Sequence, residues 1–131
     1  MAAGEYDPWM DPADAARAWV EAWTKGWIDH DPDVIAARYA DGCVFRSHPS
    51  RDPLSGPEGA RTYAEQAFAE ERSADPSFEQ PIIGDDGRSA VEYRARVTTT
   101  EGDDVDLLGV SVLRFDDDGL VTEHRDYWAM A

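Results

Sequence analysis

The sequence predicts an α+β fold, a curved antiparallel sheet wrapped around N-terminal helices. Three observations predict it. Apolar residues in the first half repeat at helical spacing, and beyond Asp75-Pro76 the period changes to two. The later segments are joined by short, turn-like stretches at 84–87 (GDDG), 101–104 (EGDD) and 116–119 (DDDG). Helices first and a run of strands afterwards is an α+β plan. The 131 residues suffice for one core but not two, so residues 11–131 read as a single domain.

Residues 1–10 read as a loose arm from which Trp9 tucks onto the body. Asp11 and Pro12 mark a helix start, a carboxylate cap followed by proline in the first turn. Ala16, Trp19, Val20, Trp23 and Trp27 then form one apolar stripe through about Asp29. Asp31-Pro32 repeats the signal for a second helix over 33–40, with Val34, Ile35 and Tyr39 inward and Asp41-Gly42 as the stop. Residues 43–48, CVFRSH, read as a short strand. Ser55-Gly-Pro-Glu58 has the form of a capping box, opening a third helix to about Glu71 with Ala60, Tyr63, Ala64, Ala67 and Phe68 on one face. Strands are predicted at 78–83, 89–100, 105–115 and 120–130.

Composition limits the function classes. With 42% hydrophobic and 11% aromatic residues, the chain is not of the disordered type. Its net charge is −16, from 28 acidic and 12 basic side chains. Such a surface repels phosphate backbones and anionic lipid, so neither nucleic acid nor membrane is expected as a partner. No apolar run reaches the roughly 20 residues that span a bilayer. MAAGEYDPWM lacks the basic and apolar parts of a secretion signal, and Cys43 is the only cysteine. A cytoplasmic location is the expectation. No motif asks for a cofactor. Asp29-His30-Asp31 with Asp33 coincides with a helix end and cap, and residues 116–119 lack the oxygen spacing of a calcium loop. No metal site is therefore expected.

The last strand, VTEHRDYW, presents Thr122, His124, Asp126 and Trp128 on one face. If the hairpin turns have four residues, Thr100 faces Val105 and Phe115 faces Leu120. Arg96, Gly109 and Asp126 then share a row, with Arg94, Ser111 and His124 in the next and Glu92, Leu113 and Thr122 in a third. The opposite face would carry Val91, Tyr93, Ala95, Val97, Leu108, Val110 and Val112. Two arrangements follow. In one, the valine-rich face packs on the helices and the charged face meets water. In the other, favoured because Leu107, Phe115, Leu120 and Trp128 need cover, the charged face lines a pocket. The valine-rich face then joins a second copy in a homodimer.

The segments WVEAWTKGW, YADGCVFRSHP, SGPEGARTY and LLGVSVLRF…DGLVTEHRDYW resemble, in order and spacing, the nuclear transport factor 2-like superfamily, especially its SnoaL-like branch. The resemblance implies a cone-shaped fold with a cavity between concave sheet and long helix, and dimerisation through the outer sheet face. It covers polyketide cyclases, ketosteroid isomerases, limonene-type epoxide hydrolases and binding proteins. HRDYW resembles the last strand of the epoxide hydrolases, which carries their aspartate onto Asp126 and their second acid onto Glu92. Their arginine falls on Ala90, with Arg94 or Arg96 as stand-ins. Their water-holding tyrosine and asparagine fall on Phe45 and Ser47, and the acid that cyclases carry beyond the final aromatic falls on Ala129.

The candidate catalytic residues are Asp126, Glu92 and His124. Asp126 is either a base beside Trp128 or half of a buried ion pair. His124 is either an acid/base near neutral pH or a partner of Ser111. Glu92 either donates a proton opposite Asp126 or pairs with an arginine. The candidate pocket residues are Trp19, Trp23, Tyr39, Phe45, Ser47, Tyr63, Phe68, Arg94, Arg96, Ser111 and Trp128, around a small apolar or amphipathic molecule. The expected activity is acid/base isomerisation, cyclisation or hydrolysis, and the alternative is a ligand-binding domain without catalysis.

Overall fold

A computed structural model describes residues 9–131; residues 1–8, most of the expected arm, lie outside it. Met10 is held to the body, its amide donating to the Asp117 carbonyl at 2.8 Å. Helix α1 spans Pro12–Asp29. Asp11 caps it, accepting from the Ala13 amide at 2.9 Å, and Pro12 occupies the first turn, where an amide is not needed. Its buried stripe includes Trp19, Trp23 and Trp27.

Helix α2, Pro32–Ala36, ends four residues earlier than expected. Tyr39 and Ala40 belong instead to strand β1, Tyr39–Arg46. The register of β1 shifts between Tyr39 and Val44, and Gly42, at φ 76°, lies in that irregularity. Asp41-Gly42 is therefore a break inside a strand and not a helix stop. Strand β2, Leu54–Ser55, precedes helix α3, Gly56–Ala69. Ser55 is the N-cap, but its side chain makes no capping bond, and the chain enters α3 through Gly56 at φ 71°.

Strand β3 covers Glu71–Phe78 and β4 only Ile82–Ile83, where one strand over 78–83 was expected. Pro76 misled the reading. It sits inside β3, an edge strand, where its missing N–H leaves no ladder bond unmade. Strands β5 (Ser89–Thr99), β6 (Asp104–Phe115) and β7 (Val121–Met130) form the antiparallel centre. The seven-stranded sheet runs β2-β1-β7-β6-β5-β3, with β4 also on β5. The β1–β7 pair is parallel, so the sheet is mixed.

One hairpin overturns the expected face of β5. The last β5–β6 pair is Thr98 with Asp104, so the turn holds residues 99–103. It is closed by the Thr99 amide on the Asp103 carbonyl at 2.8 Å and the Asp103 amide on Thr99 Oγ1 at 3.1 Å. That register is three residues from the expected one, and an odd slip turns every side chain to the other face. Val91, Tyr93, Ala95 and Val97 consequently point inward and are buried. Glu92, Arg94 and Arg96 lie exposed on the outer face. Between β6 and β7 the slip is two residues (Ser111 pairs with Asp126, Leu113 with His124), which moves the rows and keeps the faces.

The core lies between this inner face and the helices. Phe45 and Leu113 are fully buried, and Phe45 stacks on His124 at 4.2 Å between ring centroids, interplanar angle 14°. Among the described residues, no helix is long and apolar enough to cross a membrane.

Candidate functional site

A cavity of ≈ 560 Å³ opens between the sheet's inner face and helices α1 and α3. Trp19, Trp23 and Trp27 from α1 form one wall, because intervals of four residues stack side chains on one helical face. Tyr63 and Phe68 of α3 and Phe78 and Tyr93 of the sheet extend the aromatic lining. Polar groups reach it from Ser111, His124 and Asp126, from Gln66, Glu70, Glu71 and Thr99, and from Ser47, Arg51 and Asp52. Such a lining, mostly apolar with a few placed polar groups, is the usual form of a small-molecule site.

Asp126 is 8% exposed. Its Oδ1 accepts from Ser111 Oγ at 2.8 Å, and the Tyr93 hydroxyl lies 3.2 and 3.3 Å from its two oxygens. Burial pushes the Tyr93 phenol far up, and the Asp126 charge adds to the shift, so Tyr93 stays a donor. Gly109 makes room for that phenol: a Cβ there would sit 2.7 Å from the Tyr93 ring and hydroxyl. His124 Nε2 is the nearest ring nitrogen to this carboxylate, 3.9 Å from Oδ1, and is buried without a hydrogen-bond partner among the described residues.

The tautomer of His124 follows from its other side. The Tyr39 oxygen accepts from Trp19 Nε1 at 3.1 Å and from Trp23 Nε1 at 3.0 Å, which occupies both lone pairs. Burial keeps the Tyr39 phenol protonated, so its proton goes to His124 Nδ1, 2.9 Å away. Nδ1 is then the acceptor, and Nε2 carries the hydrogen on the side of Asp126.

Of the candidate pocket residues, Trp19, Trp23, Ser47, Tyr63, Phe68, Ser111 and Trp128 line the cavity, as do Asp126 and His124. Tyr39 and Phe45 lie behind the wall. Tyr39 is held by the two indoles, and Phe45 packs between His124 and Tyr63. Glu92, Arg94 and Arg96 are not in the cavity. The odd slip puts them outside, where Arg96 pairs with Asp106 at 2.9 Å. At the rim, the Arg51 guanidinium lies 5.4 Å from the Trp128 ring centroid. The Trp128 indole donates to the Ser47 carbonyl at 2.7 Å. Among the described residues, no three His, Cys, Asp or Glu side chains gather as metal ligands would.

Sequence reasoning missed Tyr93, Trp27 as a wall residue, and Glu71. Glu71 continues the stripe Ala60, Ala64, Ala67, Phe68 by one more helical step, and an acid on an apolar stripe was the available signal. The Glu71 side chain is 10% exposed, and its Oε1 accepts from Trp27 Nε1 at 2.9 Å. Burial raises its carboxyl to about 7, against the pull of the Trp27 hydrogen bond.

Between the ordinary value of 4.5 and about 7, the folded chain holds this proton and the unfolded chain has lost it. Stability therefore falls as pH rises through that window and is flat above it. Glu71→Gln, which needs no proton, is expected to be more stable than the parent at pH 8 by on the order of 2 kcal/mol, and little changed at pH 4.5. Thermal melts of both proteins at the two pH values check this. An equal difference at both would refute the burial argument.

The SnoaL-like domain family profile matches residues 16–124. A Mycobacterium tuberculosis LEH-like epoxide hydrolase is 22% identical, with TM-score 0.69, covering 88% of this chain and 83% of that one. A putative isomerase from Bacillus subtilis is 18% identical, with TM-score 0.76, covering 92% and 90%. The epoxide hydrolase/cyclase-like enzyme SalBIII, described for pyran ring formation in the polyether salinomycin, is also 18% identical with TM-score 0.76, covering 92% and 95%. At these identities the likeness shows a shared α+β fold. No curated protein matches the chain.

Proposed function

The chain belongs to the SnoaL-like domain family, and from that premise we propose that it performs acid/base chemistry on a small, largely apolar molecule, with Asp126 as the base. One observation carries the reading. A carboxylate stands in an aromatic cavity, held by two hydroxyl donors and joined by no lysine or arginine among the described residues. A base so placed has its substrate's apolar body stacked on indole and phenol rings and its own lone pairs kept from bulk water.

Proton-transfer isomerisation or cyclisation fits better than hydrolysis. The hydrolytic reading needs Glu92 and an arginine beside Asp126; Glu92, Arg94 and Arg96 all lie on the outer face, and Arg51, which does line the cavity, lies over Trp128 and makes no ion pair with Asp126. Phe45, where the epoxide hydrolases hold their water, is fully buried. The alternative, a binding domain without chemistry, is separated by experiment. Tryptophan fluorescence with apolar metabolites reports binding, and 5-nitrobenzisoxazole, which opens when a base removes its ring C–H proton, reports a working base. Binding with no proton abstraction from any compound would favour the alternative.

We also propose a homodimer through the outer sheet face, on a narrower strip than the sequence suggested. Val91, Tyr93 and Val97 are buried within the protomer, which leaves Leu108, Val110, Val112 and Tyr127 between charged neighbours. At −16 per chain the copies repel, so added salt is expected to tighten the dimer. Light scattering at low and high salt, with Val110→Asp as the disrupting variant, tests this. A monomer at micromolar concentration in both salts would refute it without moving Asp126 from the cavity.

A further inference from the structure

Asp126 and Glu71 line the same cavity and are joined along one wall. Tyr93 bonds to Asp126, Trp27 bonds to Glu71, and the two rings meet at 6.4 Å. Titratable and charged groups approach Glu71 from the elements packed around it, and Arg72, next to it in β3, turns its guanidinium to the Thr100 carbonyl. From α1 come the Trp27 indole and His30, whose Nε2 is 3.7 Å away, buried and without a hydrogen-bond partner. From α3 comes Tyr63, whose phenol the Glu71 charge helps keep protonated, and from its end Glu70, whose charge adds to the rise of the Glu71 carboxyl. On β5 its strand partner is Thr99, which carries no charge. No lysine or arginine among the described residues pairs with it.

We propose that Glu71 is a second catalytic group, a proton donor that serves the substrate atom gaining charge while Asp126 takes a proton from carbon. This rests on the Asp126 reading and completes it. A base alone leaves negative charge on the substrate in an enclosed aromatic site, where charge is poorly solvated. A carboxylic acid in the same wall neutralises it. Burial supports the role, because a carboxyl raised to about 7 still holds its proton in a substantial fraction of molecules near neutrality, which is what a general acid requires.

On a benzisoxazole the step balances. Asp126 removes the C3 proton, that bond's electron pair completes the nitrile, the N–O bond breaks with its pair on oxygen, and Glu71 protonates the phenolate. Two probes separate the roles. The phenolate from 1,2-benzisoxazole is basic and needs a donor, whereas the one from 5-nitrobenzisoxazole is stabilised by its nitro group and does not.

Both rates are measured against pH in the full chain, with ¹³C NMR of glutamate carboxyls. One glutamate is expected to titrate near 7 and to be missing from Glu71→Gln. That variant should slow 1,2-benzisoxazole roughly ten-fold below pH 7 and change the nitro compound less than about two-fold, whereas Asp126→Asn slows both. Trp27→Phe is the second variant. It removes a donor that favours the charged form, so the Glu71 titration should move further up. Equal slowing of both probes by Glu71→Gln, no slowing of either, or an ordinary titration for Glu71 overturns the proposal. A rate that rises through pH 7 and is lost in Glu71→Gln makes Glu71 the base and also overturns it. The Asp126 reading fails separately, if Asp126→Asn leaves both rates unchanged.

Discussion

Asp126→Asn is expected to lower turnover of 5-nitrobenzisoxazole by about 10²- to 10⁴-fold, the usual contribution of a positioned base. Ligand affinity by tryptophan fluorescence should change only a few-fold. Asparagine has nearly the shape of aspartate. Its carbonyl can still accept from Ser111 Oγ, now at 2.8 Å from Oδ1, and its amide group can face the lone pairs of the Tyr93 oxygen. What it lacks is the basic lone pair. The cavity walls, Trp19, Trp23 and Trp128 among them, are untouched, so binding persists while proton abstraction stops. A rate within ten-fold of the parent would show that Asp126 is not the base. A large loss of affinity together with the rate would show that its charge holds the ligand.

How far this site was legible in the sequence depended on whether a turn was misjudged by an even or an odd number of residues. The β6–β7 turn was misplaced by two, so Ser111, His124, Asp126 and Trp128 were assigned to one face, and all four line the cavity. The β5–β6 turn was misplaced by three, because Thr99 and Thr100 read as strand. Thr100 instead lies in the turn, and Thr99, the last residue of β5, no longer pairs with β6 and turns its side chain to the Asp103 amide. That one error sent Glu92, Arg94 and Arg96 inward and Tyr93 outward. The alternation of Val91, Tyr93, Ala95 and Val97 already marked the face that needs burial, and it outweighs any count of turn residues. Helices α1 and α2 were clear from their aspartate–proline starts, and α3 from the proline of Ser55-Gly-Pro-Glu58. The edge strand holding Glu71 was not, since ERSADPSF has almost no apolar alternation and contains a proline.

Tyr39→Phe should destabilise the protein by about 3 kcal/mol or more, although it deletes a single oxygen and keeps the ring. That oxygen serves three partners: it accepts from the indoles of Trp19 and Trp23 and donates to His124 Nδ1. All three are buried, with Trp19 and His124 1% exposed, and the space left by one oxygen is too small to seat a water in its place. Each orphaned polar group costs about 1–3 kcal/mol, a large share of a net stability of roughly 5–15 kcal/mol. For a chain of this size the melting temperature should fall by roughly 10 °C. Tyr63→Phe is the control, because that ring packs against Trp23 and Phe45 and no hydrogen bond of its hydroxyl to another described residue is part of the network. Its melt should move by no more than a few degrees. A second readout tests the link to chemistry. With Tyr39 gone, nothing holds the proton of His124 on Nε2, so the imidazole ¹⁵N spectrum should change from one tautomer to a mixture. If Tyr39→Phe melts like Tyr63→Phe and the imidazole spectrum is unchanged, the Trp19–Trp23–Tyr39–His124 network does not support the floor of the site.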